Sequence, residues 1–207
     1  TFFRMNSGMI TDLIPKVAQY YDEPFADNSL IPTYIVTKMA REHVTVALNG
    51  DGGDENFAGY DRYNIVVTGS KYKFLGNDLF KAGSKIVDSI VKSKFSERLS
   101  RFTGTLHETF NSRYLNYSSF FTNEIKYGLY SKDFISTVKG EDSFMYFNKF
   151  NTGDLNSDLD KALFLDINTY LPEDLLFKTD IASMANSLEL RAPLLDYTFM
   201  EKMARVP

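Results

Sequence analysis

The sequence predicts a predominantly helical α/β chain carrying one or two parallel strands. Three observations lead there. Val44-Thr45-Val46-Ala47-Leu48 is a short, continuously apolar run, the pattern of a strand buried on both faces of a parallel sheet. It empties into Asn49-Gly50-Asp51-Gly52-Gly53-Asp54-Glu55, and open α/β sheets bind ligands at such strand carboxyl ends. Nearly everywhere else the apolar residues recur at helical spacing.

Residues 12–20 place Ile14, Val17 and Ala18 on one helix face, with Pro15 expected near the helix start, where its missing N–H costs little. Asp22-Glu23-Pro24-Phe25-Ala26-Asp27-Asn28-Ser29 is rich in cap and turn residues and leads into a second helix over 31–41, with Pro32 in its first turn. Beyond the strand and its loop, residues 77–92 predict a helix whose apolar face carries Leu79, Ile86 and Ile90. Residues 102–150 are crowded with aromatics such as Phe110, Tyr114, Tyr117 and Phe147, interleaved with charges of both signs. Base stacking would need a positive groove, so packing between short helices is the expectation. Asn151-Thr152-Gly153-Asp154 marks a loop, and Ser157 with Asp160 forms a capping pattern opening the helix of Leu159, Leu163 and Ile167. Pro172 restarts the chain, and a helix over 174–188 runs through Leu175, Lys178, Ala182 and Ala185, its small residues admitting another backbone. Pro193 and Asp196 are expected to act as turn and cap residues for a last helix. No repeat, low-complexity tract or linker stands out, so one compact unit is expected.

Composition narrows the class. At 207 residues and 43% hydrophobic, the chain can bury a substantial core. Its 23 basic against 27 acidic residues, net charge −4, give no footprint for nucleic acid or an anionic membrane. No apolar run approaches the roughly 18 residues of a membrane span, and the first residues do not form a signal peptide, so a cytoplasmic protein with small-molecule partners is expected. With no cysteine, disulfides, thiolate metal sites and cysteine nucleophiles are outside this chain's chemistry. His43 and His107 stand apart among ordinary polar residues, as surface or helix-end residues do. A threonine start and a stop after Pro207, directly behind a helical stretch, suggest a piece of something longer.

The loop at 49–55 is the main candidate site. Its glycines let backbone N–H groups approach an anion. Its three carboxylates would repel a phosphate unless a divalent cation lay between them, which points to magnesium–nucleotide binding. Gly-Asp-Gly-Gly-Asp is equally a good turn formula, and by itself the loop favours that plainer reading. It matches neither the phosphate loop ending in Gly-Lys-Ser/Thr nor the calcium loop with alternating acids.

Several strings together resemble the asparagine synthetase family. They are Asp22-Glu23-Pro24-Phe25-Ala26-Asp27, Ala47-Leu48-Asn49-Gly50-Asp51-Gly52-Gly53-Asp54-Glu55, Gly59-Tyr60, and Tyr170-Leu171-Pro172-Glu173-Asp174-Leu175-Leu176. The longest is Lys178-Thr179-Asp180, Ala182-Ser183-Met184-Ala185 and Ser187-Leu188-Glu189-Leu190-Arg191-Ala192-Pro193-Leu194-Leu195-Asp196. The resemblance covers roughly residues 21–63 and 166–204; the aromatic middle agrees only in general character. It implies an α/β fold of the ATP-pyrophosphatase type, like the adenine nucleotide alpha hydrolases, seen here as part of a synthetase domain. It also implies ATP and Mg2+, adenylation of the aspartate side chain, and attack on the acyl-adenylate by ammonia derived from glutamine. Carried over by position, the Asn49 and Gly50 backbone, with Gly52 and Gly53, would lie by the nucleotide and Asp54 by magnesium. Asp51 and Tyr60 would form the pair that positions the intermediate and manages protons. Asp27, Asn28 and Ser29 would face the amino-acid substrate, and Lys178 and Asp180 could line the same site. Glu189 and Arg191 are expected instead in a buried ion-pair network.

Two departures stand out. The family's usual serine is Asn49 here, and its usual Leu-Phe-Gly-Gly-Tyr is Asn56-Phe57-Ala58-Gly59-Tyr60. The family's Ser-Gly-Gly-Xaa-Asp-Ser loop, a later catalytic lysine and the N-terminal glutaminase domain lie outside the sequence, so the isolated piece is expected to be inactive. Exposed sheet surface on such a piece would favour self-association, with a homodimer as its simplest form. A related ATP-dependent amidotransferase acting on another carboxylate, and a non-catalytic helical interaction module, are the competing readings.

Overall fold

The computed structural model describes residues 7–71, 109–119, 121–138 and 143–206. The helix predicted over 77–92 and His107 lie outside the described residues. The chain divides into two units, one formed by Thr1–Phe57 with Asp166–Pro207 and the other by Ala58–Leu165. The expectation of a single unit gives way here, because the chain crosses between units at Phe57–Ala58 and inside a helix, and neither crossing has a linker's composition.

In the first unit, α1 (Ser7–Ala18) and α2 (Leu30–Arg41) precede strand β1 (Val46–Leu48) and the short helix α3 (Gly53–Phe57). Because α1 already begins at Ser7, Pro15 lies inside the helix and not at its start. Of the predicted face, Val17 is buried with Tyr21, Leu30 and Ala182, whereas Ile14 is exposed.

The second unit holds α4 (Asp61–Lys71), α5 (Phe110–Ser118), α6 (Asn123–Leu129), α7 (Lys132–Thr137) and a 3-10 turn at Ser143–Lys149. Helix α8 (Asp158–Asn168) begins there, with the Ser157 hydroxyl accepting from the Asp160 N–H at 3.0 Å as the capping pattern predicts. The hydroxyls of Thr109, Thr122 and Ser131 cap α5, α6 and α7 in the same way. Tyr63, Val66, Tyr114, Ala162 and Leu165 form the core, joined by Phe110, Tyr117, Phe147 and Phe150. The expected aromatic packing is therefore present, although Phe121, Tyr127 and Phe134 stay exposed.

Returning to the first unit, the chain passes through a π-helical segment (Leu171–Leu176) into α9 (Phe177–Met184), strand β2 (Glu189–Arg191), a 3-10 turn (Pro193–Leu195) and α10 (Tyr197–Met203). Pro172 does not restart the chain as expected. It occupies the first turn of the π segment, where its absent N–H is tolerated, and the helix widens instead of breaking. The helix predicted over 174–188 stops at Met184, because Ser187 takes a positive φ of 56° and turns the backbone into β2. Ala182 and Ser183 are buried, and α9 lies against α2 as their small size predicts. The contact is also polar: the Asn186 amide donates to the Tyr34 and Ala182 carbonyls at 3.0 Å each and to the Thr37 hydroxyl at 3.1 Å.

β1 and β2 pair in parallel, Val46 opposite Glu189 and Leu48 opposite Arg191. The strand expected to be buried on both faces is not. Val46 and Leu48 share one face, and Leu48 is 72% exposed. With only two strands among the described residues, nothing there covers that face. Among the described residues no helix is long and apolar enough to cross a membrane.

Ala58 sits at φ 55°, a left-handed conformation that costs an alanine about 1–2 kcal/mol relative to glycine. Its methyl packs on the second unit's core, which returns part of that cost. Ala58→Gly is expected to stabilise the protein by about 0.5–1 kcal/mol, read as a raised urea midpoint with unchanged slope; a lowered midpoint would show that the methyl contact outweighs the strain.

Candidate functional site

The loop from Asn49 to Glu55 is fixed at both ends. At its start the Asn49 N–H donates to the Arg191 carbonyl at 2.9 Å, extending the β1–β2 ladder by one step. At its end the Asn56 side chain donates to the carbonyls of Gly52, at 2.7 Å, and Leu194, at 2.9 Å. Gly52 has φ +86°, and a Cβ built there would lie 2.1 Å from Leu195 Cδ2. Its glycine is thus required by the turn that follows β2. A Cβ at Gly50 would meet nothing within 4 Å, so that part of the loop is open to a ligand. Phe57 at the end of α3 meets the Phe199 ring of α10 edge-on, 6.1 Å between centroids.

The three acids of the loop behave differently. Asp51 is partly buried and accepts a hydrogen bond from the Asn49 amide at 2.8 Å. Asp54 is exposed in the first turn of α3, while Glu55 is only 1% exposed and belongs to the protein interior. No three acidic or histidine side chains among the described residues gather closely enough to hold a metal ion by themselves. Among the described residues the Asn49 side-chain oxygen is buried without a partner.

A second cluster joins the loop before α2 to α9. The Lys178 ammonium lies 2.5 Å from Asp27 Oδ2 and donates to the Ser29 hydroxyl at 2.6 Å. Asp27 Oδ1 in turn accepts from the Ser29 N–H at 2.7 Å and its hydroxyl at 2.8 Å. Burial alone would push the Asp27 carboxyl up, but the hydrogen bonds from Lys178 and Ser29 outweigh it and hold the group below the ordinary carboxylate range. Burial, together with the Asp27 charge, pushes the nearby Tyr21 phenol up to about 12. Tyr21 also donates to the Lys178 carbonyl at 3.4 Å and stacks on Phe25.

Asp27, Ser29 and Lys178 are therefore brought together, while Asn28 and Asp180 are exposed and outside that cluster. Glu189 and Arg191 do pair, at 2.8 Å, but in the open, with side chains 53% and 66% exposed. The expected buried network is replaced by a surface pair on neighbouring same-face positions of β2, worth little to stability. Tyr60 is described within the second unit, where the Arg62 guanidinium sits 4.0 Å from its ring centroid. Asp196 caps α10 as expected, accepting from the Phe199 N–H at 3.0 Å. Sequence reasoning missed the clamp that Asn56, Leu194 and Leu195 place on the loop. Pro193 signalled a turn, yet nothing in the spacing tells where that turn docks.

The family model described as Asparagine synthase matches residues 1–207. The chain belongs to the asparagine synthase family. Among curated relatives it is 31% identical over 196 residues to asparagine synthetase [glutamine-hydrolyzing] 1 of Bacillus subtilis, covering 94% of this chain and 30% of that protein. It is 29% identical over 199 residues to a putative asparagine synthetase [glutamine-hydrolyzing] of Mycobacterium bovis, covering 94% of this chain and 29% of the relative. A shorter match, 61% identical over 49 residues, covers 24% of this chain and 10% of putative asparagine synthetase [glutamine-hydrolyzing] 2 of Methanocaldococcus jannaschii. The chain thus spans about 30% of the length of the first two of these asparagine synthase family relatives. No solved structure matches it.

Proposed function

We propose that the chain forms part of the synthetase site of an ATP-dependent amide ligase that converts aspartate to asparagine with ammonia from glutamine. Family membership over the whole chain carries the reading, and a strand-end loop open at Gly50 and flanked by exposed Asp54 supports it. On this reading an aspartate β-carboxylate oxygen attacks the α-phosphorus of ATP and pyrophosphate leaves. Ammonia then attacks the acyl carbon of the β-aspartyl-adenylate, and AMP leaves with the carboxylate oxygen.

The loop backbone at Asn49, Gly50, Gly52 and Gly53 would lie along the nucleotide, where N–H donors favour negative charge. Magnesium, when bound, would supply charge neutralisation at the departing pyrophosphate. It commonly takes only one or two protein carboxylates and fills its shell with phosphate and water, so the single exposed Asp54 fits it. Asp51 would take the proton released as ammonia attacks, and Tyr60 is carried over by position alone as a second proton-handling residue. Asp27, Asn28 and Ser29, with Lys178 and Asp180, would face the amino-acid substrate, Lys178 holding the turn through its ion pair. The enzyme would work in the cytosol on small molecules.

The test is the full-length protein supplied with aspartate, ammonia and magnesium–ATP. AMP and pyrophosphate should appear only when aspartate is present, and release without aspartate, or with another carboxylate alone, would redirect the assignment to a related amidotransferase. Asp54→Asn should raise the magnesium concentration at half-maximal rate about tenfold or more, in line with what weakened metal sites lose. An unchanged magnesium dependence would remove Asp54 from the metal site.

A further inference from the structure

We propose that Asn49 is a positioning residue whose side-chain amide sets the orientation of the Asp51 carboxylate. The inference rests on the reading of Asp51 as the proton-handling residue and goes beyond the backbone role given to Asn49 above. Its own main chain is fixed, since the Asn49 N–H is held by the Arg191 carbonyl at 2.9 Å at the end of the β1–β2 ladder. From that anchored position the amide nitrogen reaches Asp51 Oδ2 at 2.8 Å. Among the described residues no other side chain hydrogen-bonds Asp51.

The other half of the amide shows what the arrangement serves. Among the described residues Asn49 Oδ1 is buried with no partner, and rotating the amide would present that oxygen to the Asp51 carboxylate and set two acceptors against each other. The amide orientation is therefore dictated by Asp51, and the unpaired oxygen is its consequence. Holding Oδ2 leaves Oδ1 of Asp51 to meet a proton in a defined direction, which a carboxylate on a glycine-rich loop otherwise lacks. A free carboxylate would rotate about two side-chain bonds.

The experiment uses the full-length protein in ammonia-dependent asparagine formation. Asn49→Ala removes the amide, and Asn49→Leu removes it while filling its volume, so at least one variant retains the local packing. Both should lower kcat about ten- to a hundredfold with the KM for ATP little changed, as expected for a misaligned group that does not bind the nucleotide through its side chain. The melting temperature should be unchanged or raised, because the unpaired oxygen is gone. Full kcat in both variants, or a kcat loss that tracks a falling melting temperature, would overturn the proposal. In an Asp51→Asn background the Asn49→Ala change should cost nothing further, and an additive loss would also overturn it. Asp51→Asn with undiminished synthesis is a separate outcome: it sinks the role of Asp51 itself, whatever Asn49 does.

Discussion

Lys178→Ala is expected to destabilise the protein by about 3 kcal/mol, the lower end of what removing one partner of a buried ion pair costs. The lower end applies because Asp27 keeps 16% of its side chain exposed, so water can partly replace the ammonium. The loss has three parts. Asp27 Oδ2 loses its charged donor, the Ser29 hydroxyl loses another, and the lysine stem no longer fills the space between the loop and α9. Urea unfolding measures it, and a loss below about 1 kcal/mol would mean the pair is no more than a surface contact. Lys178→Met, combined with Asp27→Asn, should recover much of the stability by removing both charges together. The same cluster gives a pH signature. A carboxyl held below its ordinary range contributes stability above its unfolded value and loses it as pH falls through the folded one. Acid lability should therefore be smaller in Asp27→Asn. Tyr21 acts at the other end: its raised value supports the fold below 10.0 and ceases to do so as pH rises towards about 12.

Gly52→Ala is the second large effect. The new methyl would lie 2.1 Å from Leu195 Cδ2 and 2.9 Å from Cγ, so rotating the leucine tip cannot relieve it fully. The backbone also stands at φ +86°, where an alanine is strained whatever the space. Overpacking and strain together predict a loss of about 2–4 kcal/mol. Leu195→Ala in the same chain should return the packing part and leave the strain, a partition that a double-mutant cycle can measure. On the proposed function, Gly52→Ala should also abolish synthesis, because the loop cannot hold both its turn and its path past the nucleotide. Wild-type stability in Gly52→Ala would show that the turn at Pro193–Leu195 yields, and that the clamp is weak.

Legibility in the sequence divided along the same lines as the molecule. The blocks that carried the family resemblance, residues 21–63 and 166–204, fall largely in the first unit, where short strings fix caps, turns and close helix approach. Asp196 and Ser157 are readable because each caps its helix within a turn of itself, and the small Ala182 because its size alone signals a close approach. The second strand was not placed in advance, since Glu189-Leu190-Arg191 has a polar–apolar alternation three residues long and becomes a strand only by pairing with β1. For the same reason Glu189 and Arg191 looked like interior partners: their charges were visible, but their shared exposed face was not. Asp27, Ser29 and Lys178 were each identified, yet nothing local links positions so far apart, and only the packing of α9 on α2 closes the cluster.

The pairing of β1 with β2 joins position 46 to position 189. Closing a chain loop of about 140 positions costs roughly 4 kcal/mol by the logarithmic scaling of loop entropy. That cost is met before the ladder returns anything, so this sheet, like the packing of α9 on α2, belongs among the late-forming parts of the fold. During synthesis the first strand leaves the ribosome well ahead of its partner. Until β2 arrives, Val44, Val46 and Leu48 sit beside a row of unpaired backbone groups, the kind of edge that recruits other chains. The loop that begins at Asn49 is therefore assembled late, on a ladder whose two halves are made far apart in time.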